Sequence, residues 1–261
     1  MADDRSTPTT LADAEKLARE IAVAGERLAL PYVAVAADIS SAQPPHGVDG
    51  RPFAETIFRW LDPDLRYWED HGFALKAAFI HATRICSEPF YFRDGRFGSW
   101  RANAALDAIT NAGAIDTFGV ASAIVAPAYL PHGVIGAVVW ASPDPGVDVL
   151  TAFDRNASDL HGLALRFVAT YGDVVAVRDQ APPRLTRREI QVLKWAAAGK
   201  TDAEIASLVT ISLPTVRFHL KNASRKLGAG GRSQAIQRAA TFGYIGAAAA
   251  SGPMRIRLGS D

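Results

Sequence analysis

Between Ser212 and Leu227 two kinds of side chain recur at helical spacing. Val216, Leu220, Ala223 and Leu227 fall at i, i+4, i+7 and i+11, which makes one apolar stripe. Arg217, Lys221, Ser224 and Arg225 lie beside that stripe, on a face left to solvent. A helix with an apolar back and a basic front can lie in the major groove of DNA. There Arg and Lys donate to guanine edges while neighbouring side chains grip phosphates. The free amides at the start of such a helix also suit a phosphate. Basic solvated helix faces are common on proteins that bind no nucleic acid, so this pattern alone leaves both readings open.

The surrounding sequence predicts the elements that would hold such a helix. Thr186-Arg-Arg-Glu189 and Thr201-Asp-Ala-Glu204 both fit the capping box, in which Thr and Glu side chains satisfy free amides of a first turn. Ser212 can cap the third helix, with Pro214 tolerated in its first turn. Gly199, Gly228 and Gly243 close the first, third and fourth helices. Four short helices over 185–245 with brief loops make a compact helix-turn-helix unit. Before it, Arg178-Asp-Gln-Ala-Pro-Pro-Arg184 cannot continue a helix and is expected to be an interdomain linker, residues 178–184.

Residues 11–177 read as a separate domain. Helices are expected over 11–30, across Arg51–Thr83 with breaks at Pro63 and Gly72, over 99–112 and over 147–177. Strands are expected over 31–38, 89–92, Val120–Tyr129 and Val134–Ser142, the last two joined by the turn Leu130-Pro-His-Gly133. Asp94-Gly-Arg-Phe-Gly98 reads as a turn. One sheet with helices before, between and after its strands predicts an α/β/α sandwich. The tail, residues 246–261, is expected to be flexible.

Charge separates the same two regions. Residues 1–184 hold 16 Lys/Arg against 23 Asp/Glu, a balance of −7, whereas residues 185–245 hold 10 against 3, a balance of +7. Only the C-terminal part is therefore expected to meet a polyanion. No apolar run is long enough to span a bilayer, and Met1–Thr10 lacks the basic-then-apolar order of a signal peptide. The single cysteine, Cys86, excludes an intrachain disulfide and a cysteine-rich zinc site. A cytoplasmic protein without membrane partner, metal or cofactor is expected.

Enzyme chemistry finds little support. His46, His71, His81, His132, His161 and His219 show no metal-ligand spacing. Cys86 and His81, five apart on a predicted helix, face different ways. Asp94–Gly98 lacks the Gly-Lys-Ser/Thr ending of a phosphate loop.

The run LTRREIQVLKWAAAGKTDAEIASLVTISLPTVRFHLKNASRKLGA, Leu185–Ala229, resembles the LuxR-type DNA-binding domain over its whole length. Glu189, Leu193, Gly199, Glu204-Ile-Ala206, Ile211-Ser212, Thr215-Val216 and Lys226-Leu227 carry the resemblance, and the segments around Trp195 and Phe218 are closest to the quorum-sensing branch. The resemblance implies that Arg217 and Lys221 approach base edges. It implies that Lys200, Thr201, Ser212, Thr215, Asn222, Arg225 and Arg232 match or neighbour positions that contact the DNA backbone. It further implies a homodimer on a palindromic operator, the fourth helix (Gln234–Thr241) contributing to pairing, with half-sites about 10 base pairs apart.

The length and element order of 11–177 resemble the autoinducer-binding domain of quorum-sensing LuxR proteins, which holds an acyl-homoserine lactone between its sheet and one helix layer. Aligning Pro89–Phe92 with the family's Pro-x-x-Trp puts Phe92 at a family Trp. Counting back places Ala77-Ala78 at the family's Asp-Pro, Trp68 at its Tyr and Asp64 at its first Trp, while Ala123 takes the place of a Gly. None of the six family residues is kept. Ala77 cannot accept the ligand's amide proton, and a buried amide without its partner costs about 1–3 kcal/mol. Phe92 lacks the indole N–H that donates to the lactone. Trp60 and Tyr67 complete the set of pocket candidates. Three readings stay open: a pocket filled by side chains, a pocket for a different ligand, or a lactone pocket in which Asp62, Asp64 or Asp70 restores the carboxylate. An antagonist that heterodimerises with another LuxR-type protein is a further alternative.

Overall fold

The computed structural model describes residues 9–41, 43–61, 78–112, 117–175 and 183–246. Asp64, Tyr67, Trp68 and Ala77 lie outside the described residues, as do most of the linker and all but the first residue of the tail. The described chain divides into two compact units: 9–130 with 134–175, and 183–246 with the turn residues 131–133.

In the N-terminal unit, α1 (Leu11–Arg27) starts on a reciprocal cap. The Asp13 amide donates to Thr10 Oγ1 at 3.4 Å and the Thr10 amide to Asp13 Oδ2 at 2.8 Å. Ala14, Leu17, Ala18, Ile21 and Gly25 form its buried face. The helix ends before the expected Leu30, because the amides of Leu28 and Leu30 both donate to the Gly25 carbonyl and Ala29 turns left-handed at φ 56°. Only glycine fits at 25: a Cβ there would stand 2.6 Å from the Leu30 oxygen and 2.9 Å from Trp140 Cδ1.

Five strands form one antiparallel sheet: β1 (Tyr32–Ala36), β2 (Phe90–Arg93), β3 (Arg96–Gly98), β4 (Ser122–Tyr129) and β5 (Ile135–Ser142), in the order β1-β5-β4-β2-β3. Strand register sorts the side chains between two faces. Val33, Trp140, Ile124 and Tyr91 stand in one cross-strand row. They join the core formed with α1 and α5 (Val149–Val175). The buried indole of Trp140 donates to the Ile21 carbonyl at 2.9 Å.

Tyr32, Ala141, Ala123, Phe92 and Phe97 stand in a row on the other face. That face packs against α3 (Ala78–Ile85) and α4 (Ala104–Asn111). Helices on both faces make the expected α/β/α sandwich, and they explain why the central β4 is buried from Ser122 to Ala128.

Three further local expectations change. The helical stretch across Arg51–Thr83 contains only the one-turn α2 (Phe53–Thr56) and α3 among the described residues. Past α2 the Arg59 carbonyl accepts from the Val33 amide at 2.9 Å, so the chain is engaged by the edge of β1 instead of by its own helix. The helix expected over 99–112 starts only at Ala104, where the Asn103 side chain accepts from the amides of Ala105 and Leu106. Asp94–Gly98 is not all turn. Asp94 and Gly95, with φ of 51° and 76°, make a two-residue hairpin turn, and Arg96–Gly98 is strand β3.

The C-terminal unit is four helices: α6 (Arg187–Ala197), α7 (Asp202–Val209), α8 (Leu213–Lys226) and α9 (Arg232–Thr241). Val192, Ala196, Ile205, Val209 and Val216 form one apolar cluster. Leu193, Ala223, Leu227, Ala235, Ala239 and Ile245 form a second.

Candidate nucleic-acid interface

The starts of α6, α7 and α8 are each fixed by a side chain three residues from its partner, whereas α9 starts on Gly231 without a side-chain cap. Thr186 and Glu189 cap α6 reciprocally, at 2.7 Å from the Thr186 amide to Glu189 Oε2 and 3.2 Å from the Glu189 amide to Thr186 Oγ1. Thr201 and Glu204 do the same for α7, at 2.8 and 3.3 Å. Ser212 Oγ accepts from the Thr215 amide at 3.3 Å and shares a 2.7 Å hydroxyl bond with Thr215, which starts α8. Gly199, Gly228 and Gly243 take positive φ at the helix ends.

The capping carboxylate Glu189 does more than cap. It is buried at 3% exposure and receives Lys226 Nζ from the end of α8 at 2.8 Å, which ties α6 to α8. Burial alone pushes its carboxyl up. The Lys226 ammonium and the amide and hydroxyl of Thr186 outweigh that and hold it below the usual carboxylate range. Glu204 is held low by the Thr201 amide and hydroxyl, aided by Lys200 at 3.4 Å.

On α8, Val216, Ala223 and Leu227 are buried and Leu220 is half-buried. Arg217, Lys221 and Arg225 are exposed, and Asn222 accepts from Arg225 Nη2 at 3.2 Å. The expected division into apolar back and basic front is therefore the geometry of this helix. Lys200, Thr201, Ser212 and Thr215 sit at the starts of α7 and α8.

Arg232 has a different setting. Its guanidinium donates to Asp202 Oδ1 and to the Lys200 carbonyl, which anchors α9 to the start of α7. Asp202 also lies 3.5 Å from Arg217 Nε. The sequence reading missed Asp202 as the shared partner of these two arginines, and missed Lys226 as the partner of Glu189. The only sequence signal for either is a charge next to a cap, because the pairs are 15, 30 and 37 residues apart. All three acidic residues of this unit are thus engaged at helix starts. Lys221 and Arg225 project from the opposite side of α8 to its buried stripe.

Of the pocket candidates, Trp60, Phe92 and Ala123 come together on the sheet face beneath α3 and α4. Phe92 pairs in register with both Ala123 and Phe97. Its ring centroid lies 5.2 Å from Phe79 and 5.2 Å from Phe97, and Phe79 and Phe97 are 5.4 Å apart, edge to face. Phe92 and Ala123 are buried, and neither offers a polar side-chain atom to a ligand. Nearby, Cys86 Sγ donates to the Glu88 carbonyl at 3.3 Å, and burial pushes its thiol up. His81 is exposed, so thiol and imidazole do not share a face. Among the described residues no group of three His, Cys, Asp or Glu side chains can hold a metal ion, and no helix is long and apolar enough to cross a membrane.

Capped short helices, a tight turn before α8 and a basic outer face define a helix-turn-helix domain. This unit belongs to the luxR family of bacterial regulatory proteins, whose family model matches residues 183–239. The chain is 36% identical over 132 residues to the transcriptional activator protein VanR of Vibrio anguillarum, covering 49% of this chain and 53% of VanR. It is 32% identical over 160 residues to the HTH-type quorum sensing-dependent transcriptional regulator RpaR of Rhodopseudomonas palustris, covering 60% of this chain and 61% of RpaR. The chain thus spans between half and two thirds of these relatives' length, and their names describe a transcriptional activator and a transcriptional regulator. A crystal structure of Escherichia coli SdiA aligns with 88% of this chain and 91% of its own at 21% identity, with a TM-score of 0.47.

Proposed function

We propose that this chain is a cytoplasmic transcriptional regulator that binds double-stranded DNA as a homodimer, on a palindromic operator. The observation that carries the reading is α8: a buried stripe on one side and Arg217, Lys221 and Arg225 exposed on the others, in a luxR-family unit. Arg217 and Lys221 donate to base edges. Lys200, Thr201, Ser212, Thr215, Asn222 and Arg225 meet the phosphate backbone. Arg232 acts at the backbone through the two donors' anchorage of the α7 start as much as by direct contact.

In the N-terminal unit, the reading favoured is independence from standard acyl-homoserine lactones. Support comes from the mutual packing of Phe79, Phe92 and Phe97 where the resemblance puts a ligand. RpaR's name describes that protein as quorum sensing-dependent, which makes lactone control the alternative to be tested.

The experiment is operator selection from a duplex library by the full chain made in a host without lactones, with and without a lactone panel. A dimer that selects one palindrome with a steep salt dependence, unchanged by the panel, supports the whole reading. Arg217→Ala is expected to flatten base preference by roughly tenfold or more at one position, whereas Lys200→Ala weakens all sequences alike and lowers the salt slope. Uniform loss in both variants would refute the division of roles. Selection only with a lactone would refute ligand independence, and no selection except in a mixed dimer would point to the antagonist.

A further inference from the structure

Phe218 has no place in the division of α8 into buried stripe and basic front. At 3.6 residues per turn it points nearly opposite the stripe of Val216, Ala223 and Leu227. The residue is 60% exposed, with its ring 5.7 Å from that of its neighbour His219. A lone exposed apolar side chain needs no explanation by itself. The setting discriminates: Arg217 precedes it, and Lys221 and Arg225, both exposed, follow on the same side of the helix. A protein-docking surface is depleted of lysine at its centre, whereas an aromatic ring amid cations suits a polyanion with an apolar feature.

The major-groove edge of DNA has one apolar group, the 5-methyl of thymine. We propose that Phe218 is a specificity-determining residue that packs its ring on a thymine methyl beside the bases met by Arg217 and Lys221. The inference rests on the DNA-binding reading above and adds to it a base that hydrogen bonding does not select. Because Phe218 lies outside both apolar clusters of the unit, its replacement leaves the fold intact.

The test starts from the operator selected by the full chain, with and without the lactone panel. Each thymine is replaced in turn by deoxyuridine, which deletes the methyl and keeps every hydrogen-bonding edge. One thymine in each half-site is expected to be sensitive, losing about three- to fivefold in affinity, the size of one buried methyl. Phe218→Ala abolishes that sensitivity and keeps the salt dependence, and Phe218→Leu retains part of it. Wild-type indifference to deoxyuridine at every position, or sensitivity that survives in Phe218→Ala, overturns the role of Phe218 while DNA binding stands. Failure of the full chain to select any duplex under any condition overturns both.

Discussion

Both units of this chain have buried apolar clusters, but what fixes their helices beyond those clusters differs. In the C-terminal unit charged groups hold the parts together: Glu189 joins α6 to α8 through Lys226, and Asp202 joins α7 to α9 through Arg232. In the N-terminal unit the face beneath α3 and α4 is held by packing, with Phe79, Phe92 and Phe97 in mutual contact. A small unit has little apolar volume, so a few well-placed polar bonds fix its geometry, while a sheet offers a broad face that aromatic rings can fill. The units should therefore respond differently to truncation and to acid.

The largest effect is expected at Phe92. Phe92→Ala removes a fully buried ring from the middle of the sheet row and should destabilise the N-terminal unit by about 3–5 kcal/mol. Denaturant unfolding followed by tryptophan fluorescence reads this. A change below about 1 kcal/mol would mean that the aromatic cluster is not a packed core, and the contrast between the units would fail.

Glu189→Ala comes next, at about 2–3 kcal/mol on the C-terminal unit. Breaking a buried pair costs more, but Lys226 is 33% exposed and can return to water. The pH dependence has a definite sign. The Glu189 carboxyl is held low in the folded unit, so its contribution is fully present above the ordinary glutamate value of about 4.3. It is lost as pH falls through the lower folded value, because the unfolded chain takes up the proton first. Glu189→Gln should flatten that acid limb, seen in melting of the C-terminal unit between about pH 5 and pH 3. An unchanged slope would assign acid sensitivity to other carboxylates.

Ser212→Ala is expected to destabilise the same unit by about 1 kcal/mol, because one first-turn amide of α8 loses its acceptor. Faster hydrogen exchange at the Thr215 amide locates the effect. Equal protection in both proteins would show that Thr215 or water replaces the cap.

These effects follow how far each contact reaches along the chain. Caps such as Thr186–Glu189 and Thr201–Glu204 join residues three apart, so their spacing alone predicted them. The stripe of α8 was legible for the same reason, since helical periodicity is local. The pairing of Phe92 with Ala123 and Phe97 joins three strands, and only the sheet register brings them together. The roles of Asp202 and Lys226 were illegible on that ground too. Strand β3 was missed although Asp94-Gly95 is a hairpin signal, because three residues of strand give too short an alternation to read.

The smallest effect tests the turn on which α8 depends. Thr210 stands between α7 and α8 with φ 56° and ψ 51°, a left-handed conformation that crowds a β-branched side chain. Its amide still donates to the Ala206 carbonyl and closes α7, so backbone bonding enforces the conformation. Thr210→Gly removes the Cβ crowding of about 1–2 kcal/mol, offset by the greater freedom of glycine in the unfolded chain at about 0.5–1 kcal/mol. A net gain of about 0.5–1 kcal/mol is expected in the C-terminal unit, with unchanged affinity for the selected operator. A loss of stability would show that the threonine side chain makes a contribution of its own in the turn. A gain accompanied by weaker binding would show that the rigidity of this turn, more than its conformation, sets the position of α8 on DNA.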